Sequence, residues 1–431
     1  MNILIIGQCT LHWGRMEFGN IGNYYILEPF VRELYEVFPN AKITTTFQLS
    51  DRFCKDENIE ILPMNLYYGF TEHDLADAEN EFKIALHYSK TGELNDSTAY
   101  IDEVLSSDLV IDFSGDIWGN NADFLGDNRF LVGLYKDRVS QLLEKKTVML
   151  AGSPGPFSTN KNLAFAQEVF EGFDLVTNRE IFSRNILEKN GFNLSKLVDL
   201  SCPAFLFEPK ENLNISSIDH HFTGGASIVG VILCGWNFVN GPFDLWPRED
   251  SDYDFIVEPL IEFLKLQPEI TLCLMSHSNG FIPGKVPFEL IHGRDYPIIK
   301  QLENILIEKG HGERVFTLNG VYDTWTTKTI ISHFDMLISG RIHAAVAGMS
   351  QLIPTVIIDY GHEPKAHKLR GFAHEAGMLK MVAEPDISDN ILSKIMNCWE
   401  NRKEIKLELV ESIPQVKKKA RKNFELLKSL F

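Results

Sequence analysis

Short apolar runs alternate with stretches of helical period along nearly the whole chain. Strands are predicted at Ile3–Ile6, Ile43–Phe47, Leu109–Phe113, Thr147–Ala151, Leu175–Thr177 and Leu197–Leu200. Between them the apolar positions recur every three to four residues, which predicts helices over Gly22–Phe38, Asp77–Leu105, Asp123–Leu143, Asn162–Phe170 and Ile181–Asn190. Strands separated by helices need crossover connections, and crossovers make a parallel sheet covered on both faces. Residues 1–207 therefore read as one doubly wound α/β domain.

The pattern stops in EPKENLNISSIDHHFTGGA, a polar stretch closing on two glycines, so residues 208–226 read as a linker. Alternation then resumes from Ile228 to Ala376, predicting a second domain of the same kind over 227–386. Its strands are Ile228–Leu233, Ile270–Met275, Val315–Leu318, Met336–Ile338 and Thr355–Ile358. Residues 387–431 read as a helical tail interrupted at Pro414 and packing back on the N-terminal domain. The fold class expected is thus α/β, with two doubly wound parallel-sheet domains facing a cleft. Ligands of open α/β sheets bind outside the carboxyl ends of the strands, so such a cleft is where chemistry belongs.

Length and charge narrow the function. At 431 residues the chain exceeds what one hydrophobic core usually supports. Its 41 Lys+Arg against 59 Asp+Glu leave a net charge of −18, which argues against nucleic acid as a partner. An anionic ligand must instead find a local basic pocket. The six cysteines are scattered without a CxxC or a Cys/His cluster, so reduced thiols, a cytoplasmic setting and no metal are expected. No signal peptide or membrane span is expected either. The tail carries Lys417, Lys418, Lys419, Arg421 and Lys422 among apolar residues. That run suits either an anionic membrane surface, as at the inner face of the cell membrane, or a helix that packs its apolar stripe and solvates the rest.

The most informative segment is ISGRIHAAVAGMSQLIPTVIIDYGHEPKAHK. A strand ends at Ser339-Gly340 and a helix starts at once, so its first N–H groups and dipole favour an anion there. Arg341 adds a fork suited to carboxylate or phosphate, and His343 can donate a bond or handle a proton. Lys365 follows the next strand and can converge on the same place. Weaker candidates lie in the first half. FGNIGN sets Asn20 and Asn23 about glycines before a helix, VIDFSGDIW sets Asp116 after a strand, and VTNREIF sets Arg179 at a second strand-to-helix turn.

Together these segments resemble the polysaccharide pyruvyl transferases, a family of two-domain, glycosyltransferase-B-like (GT-B-like) enzymes. The matching pieces are FGNIGN, VIDFSGDIW, TVMLAGSPGPF, VTNREIFSRNILEKNGF and, most specifically, the Arg341-Ile342-His343 segment. The resemblance implies transfer of a pyruvyl group from phosphoenolpyruvate to two hydroxyls of a glycan sugar, giving a cyclic ketal and phosphate, without a cofactor. It implies donor binding by Arg179, Arg341, Ile342, His343 and Lys365, and acceptor binding by Asn20, Asn23 and Asp116. Catalysis would then rest on Arg341, His343 and Asp116. A glycan acceptor met at the cytoplasmic membrane face would be lipid-linked. The chain departs from the family where Asn23 replaces an aspartate, where Phe113-Ser114-Gly115-Asp116 replaces a run of glycines, and where Glu180 replaces an aspartate. Two alternatives stay open: a glycosyltransferase holding a nucleotide-sugar diphosphate on Arg341 and Lys365, and a carbohydrate-binding protein without turnover.

Overall fold

The computed structural model describes residues 1–7, 17, 19–115, 117–126, 128–157, 159–209, 215–239, 247–282, 289–291, 295–361, 366–385 and 387–431. The chain forms two compact units, neither contiguous in sequence. The first comprises Met1–Gly14, Phe30–Cys202 and Lys419–Phe431; the second comprises Arg15–Pro29 and Pro203–Lys418.

The first unit is built on a seven-stranded sheet. Its strands are β1 (Asn2–Ile6), β2 (Lys42–Thr45), β3 (Ile59–Ile61), β4 (Leu109–Asp112), β5 (Lys146–Gly152), β6 (Leu175–Asn178) and β7 (Leu197–Asp199). They lie in the order β3-β2-β1-β4-β5-β6-β7, and every pair is parallel. All four residues of β4 are buried, as are the last six of β5. Such strands read as continuous apolar runs because helices cover both faces. The predicted helix Asp77–Leu105 is two helices, Asp74–Thr91 and Ala99–Ser106. Gly92 ends the first in the left-handed region (φ 73°), and the Thr98 side chain caps the second.

A buried carboxyl pair lies behind β4. Asp112 accepts from Ser114 N and Oγ, both at 2.8 Å, and Asp137 accepts from Trp118 Nε1 at 3.2 Å. Burial pushes Asp112 up to about 6, and burial together with the Asp112 charge pushes Asp137 well above the carboxylate range. A carboxyl whose pKa is raised on folding binds its proton more tightly in the native state. Stability therefore falls as pH rises from the ordinary carboxylate range through the folded values. Asp137→Asn keeps an acceptor for Trp118 Nε1 while removing the more strongly raised of the two carboxyls. Its melting temperature is expected to exceed the parent's near pH 7, with the gap closing toward pH 4. A constant gap across a series of thermal melts would contradict a raised Asp137 carboxyl.

The second unit carries a six-stranded parallel sheet of β8 (Ser227–Ile232), β9 (Ile270–Leu274), β12 (Val315–Thr317), β13 (Met336–Ser339), β14 (Thr355–Ile358) and β15 (Val382–Ala383). Between β9 and β12 the chain forms a two-stranded antiparallel ribbon, β10 (Gly280–Ile282) with β11 (Glu289–Ile291). The sheet order β12-β9-β8-β13-β14-β15 reverses direction between β8 and β13, which pair directly. A switch point of this kind opens a crevice at the strands' carboxyl ends.

The unit boundary after Cys202 falls a few residues before the expected one. Within the stretch expected as linker, short 3-10 turns form at Ile215–Ser217 and His220–Thr223, and the His221 ring stacks on Phe316. In the tail, the break between helices Ser388–Glu400 and Arg402–Glu425 falls at Asn401, not at Pro414. Pro414 is exposed and lies inside the second helix. The backbone bond it forgoes would have reached Val410, itself exposed, where water serves the carbonyl. The apolar stripe Ile405, Leu409, Ile413, Val416, Ala420, Phe424 and Leu427 is buried. Within the first unit, Asn423 accepts from Thr177 Oγ1 at 2.6 Å and donates to Ser201 O at 2.9 Å. Among the described residues, no helix is long and apolar enough to cross a membrane.

Candidate functional site

The site is assembled at the switch point of the second sheet. As β13 ends, Gly340 N bonds Ile232 O at 2.7 Å, and Ser339 Oγ bonds Arg341 O at 2.9 Å. Asn237, fully buried after β8, donates to Gly340 O and Ile358 O, each at 3.2 Å, and accepts from Cys234 N at 2.9 Å. A Cβ on Gly340 would lie 2.0 Å from Asn237 Oδ1, so only glycine fits there. Arg341 then takes the N-cap position of the helix Ile342–Ser350 with extended backbone and no side-chain cap. The first amides of that helix are left pointing outward.

Arg341 does not stand alone. Its Nε lies 2.9 and 2.8 Å from Asp295 Oδ1 and Oδ2, and its Nη2 also donates to Oδ1. Asp295 is fully buried and also accepts from His277 N at 3.0 Å and Ser278 N at 2.8 Å. Burial alone would lower the Arg341 pKa, but Asp295 and Cys234 outweigh it and the guanidinium is held above its ordinary value. The side-on edge of the fork is therefore occupied. The end-on edge, Nη1 with the second Nη2 hydrogen, makes no hydrogen bond among the described residues, so a carboxylate or phosphate can be received there.

The Asn20–Asn23 turn, expected on the N-terminal domain, belongs to this unit. Asn20 forms an antiparallel bridge with Ser278, and Asn279 N bonds Gly19 O at 3.0 Å. The helix Ile21–Val37 starts here, and Gly22 packs directly on His343; an added Cβ would meet His343 Nδ1 at 2.5 Å and Cβ at 2.6 Å. The glycine thus serves close packing of the histidine rather than approach of backbone amides to a ligand. His277, only 1% exposed, completes the cluster, with its ring edge-on to Tyr25 at 5.5 Å. Burial first, then Arg341 and His343, hold His277 well below the usual imidazole range, so it is neutral.

Of the residues expected from sequence, Asn20, Asn23, Arg341, Ile342 and His343 lie in this unit. Asp116 and Lys365 lie outside the described residues. Arg179 belongs to the first unit, after β6, where it is buried and its Nε donates to Ser153 Oγ at 2.9 Å. Its guanidinium would be 3.6 Å from a Cβ on Gly115, whose φ of +61° favours glycine. Asp295 and His277 were missed. Each had a local signal: His277 follows an apolar strand, and Asp295 stands before Tyr296-Pro297, where a helix begins. Asp219, His220 and His221 also gather metal-type ligand atoms within 4.8 Å. Asp219 Oδ1 is 2.6 Å from His221 Nδ1, a hydrogen bond rather than the roughly 3.3 Å between ligands of tetrahedral zinc.

Comparison with solved structures supports the architecture. Anabaena Alr3699/HepE in complex with UDP and glucose matches with a TM-score of 0.56 at 14% identity, over 100% of both chains. A glycosyltransferase from Rickettsia africae ESF-5 gives 0.57 at 13% identity, over 99% of this chain and 98% of that one. The lipopolysaccharide outer core galactosyltransferase WaaB gives 0.52 at 11% identity, over 99% and 98%. At such identities the likeness establishes the fold alone, which is GT-B-like with a long C-terminal helix. No curated protein matches the sequence. The sequence model of the polysaccharide pyruvyl transferases matches residues 20–362, a stretch that opens on the turn bridged to Ser278 and closes beyond His343. With that match over most of its length, the chain belongs to the polysaccharide pyruvyl transferase family.

Proposed function

We propose that the protein transfers the pyruvyl group of phosphoenolpyruvate to two hydroxyls of one sugar in a surface or exported glycan. The observation carrying this reading is Arg341, held side-on by Asp295 so that its other edge and the first amides of the helix Ile342–Ser350 are presented beside His343. A donor with a carboxylate and a phosphate needs such a cation fixed in orientation, and the long-range field of a chain of net charge −18 does not supply it. Lys365 is a proposed further donor contact. The overall step balances without another reactant: two hydroxyl protons are released, one reaches the methylene carbon and one leaves on hydrogen phosphate. Asn20 and Asn23, on the turn whose Gly22 packs on His343, are proposed to contact the acceptor, with Asn23 giving an amide contact where the family has a carboxylate.

The GT-B-like neighbours, one of them bound to UDP and glucose, favour a second reading in which Arg341 holds a nucleotide-sugar diphosphate. The donor separates the two. Incubation with a panel of methyl hexosides is expected to release phosphate from phosphoenolpyruvate and no nucleoside diphosphate from UDP-sugars. The reverse result would establish the glycosyltransferase.

A further inference from the structure

The proposed reaction needs an acid to protonate the donor's methylene carbon, and His343 is not the site's sole imidazole. His277 lies on the segment after β9 and is sealed from solvent. Its Nε2 has no hydrogen-bond partner among the described residues, although burial makes an unpaired polar atom costly. Its backbone, by contrast, is fixed: His277 N is bonded to Asp295, and the neighbouring Ser278 and Asn279 are tied to the Asn20 turn. A rigid segment that leaves one ring nitrogen unsatisfied beside an anion-binding arginine points to a ligand.

Resting on the phosphoenolpyruvate reading, we propose that His277 is a catalytic proton carrier, loaded when a carboxylate-bearing organic phosphate binds and discharged onto the donor's methylene carbon. The groups facing it set the loading. The helix Ile342–Ser350 brings Arg341 and His343; Asp295, ahead of the helix Tyr296–Glu308, is neutralised by Arg341; the helix Ile21–Val37 brings Tyr25, whose hydroxyl burial keeps protonated. Burial first, then Arg341 and His343, keep a proton off His277 until a donor carrying about three negative charges arrives and reverses the balance. The N–H bond of the loaded imidazolium breaks as the C3–H bond forms from the π pair of the enol. The resulting cationic C2 is attacked by a sugar hydroxyl oxygen. The C2–O bond to phosphate then breaks with its electron pair on phosphate, and the second hydroxyl closes the ring. Of the two hydroxyl protons, one returns to His277 and one leaves on hydrogen phosphate.

Calorimetry of phosphoenolpyruvate binding to the full chain, near pH 7 in buffers of different ionisation enthalpy, tests this without an acceptor. The parent is expected to take up at least about half a proton per donor bound. His343→Gln should retain that uptake and His277→Gln should lose it. Should His277→Gln fail to fold, the histidine C2–H resonances of the parent serve instead, and one buried, low-pKa imidazole should become protonated on donor addition. Unchanged uptake in His277→Gln, or binding by the parent without uptake or a shifted resonance, overturns the assignment and leaves the donor reading standing. If phosphoenolpyruvate fails to bind while UDP-glucose binds, the donor reading falls and His277 falls with it.

Discussion

Arg341→Ala is expected to cut phosphate release from phosphoenolpyruvate by at least about a hundred-fold. Removal of one positioned charged donor costs about 3 kcal/mol of transition-state stabilisation. The structure adds a second consequence. Asp295 is fully buried, and without Arg341 its charge is left with two backbone amides. Breaking a buried ion pair from one side typically costs about 3–5 kcal/mol of stability. The single variant should therefore be both slow and less stable. Adding Asp295→Asn removes the stranded charge, so the double variant should recover much of the melting temperature and none of the turnover. Arg341→Lys should rescue neither fully, because an ammonium cannot face Asp295 and a donor along two edges at once. Full turnover by Arg341→Ala in a phosphate-release assay would remove this arginine from the site.

Gly22→Ala has the next largest expected effect, and its sign runs against helix propensity. In an exposed helix the change would stabilise by about 1 kcal/mol. Here the new methyl would stand 2.5 Å from His343 Nδ1 and 2.6 Å from its Cβ, so the helix start or the histidine must move. Overpacking of this kind costs about 1–3 kcal/mol. The displaced group belongs to the site, so turnover should fall more than ten-fold while the chain still folds. A variant with parental turnover and melting temperature would show that the contact between Gly22 and His343 is not maintained in solution.

What was legible in the sequence divides along physical lines. Strands β1, β4, β8 and β13 announce themselves because both faces are covered and nearly every position is apolar. The edge strands β3 and β15, with three and two residues, are too short to stand out. Arg341 and His343 could be placed because a strand end and a helix start are adjacent in sequence. Their surroundings could not. Asp295 meets Arg341 across 46 residues, and Gly22 meets His343 from near the other end of the chain. Local periodicity carries no information about such pairings. It also placed the Asn20 turn with the strand it follows, whereas the bridge to Ser278 assigns it to the second unit.

The discontinuous makeup of the two units governs how the gene can be dissected. The helix Ile21–Val37 donates its first part to one unit and its remainder to the other, and the helix Arg402–Glu425 is divided in the same way. A clone stopped at residue 202 would lack Phe424 and Asn423, which pack on Phe30 and bond Thr177. A clone begun at residue 203 would lack Tyr24 and Tyr25, whose rings meet Trp325, Phe207 and His277. Halves expressed separately should be recovered insoluble, and co-expression of the two is the route by which a split version could assemble.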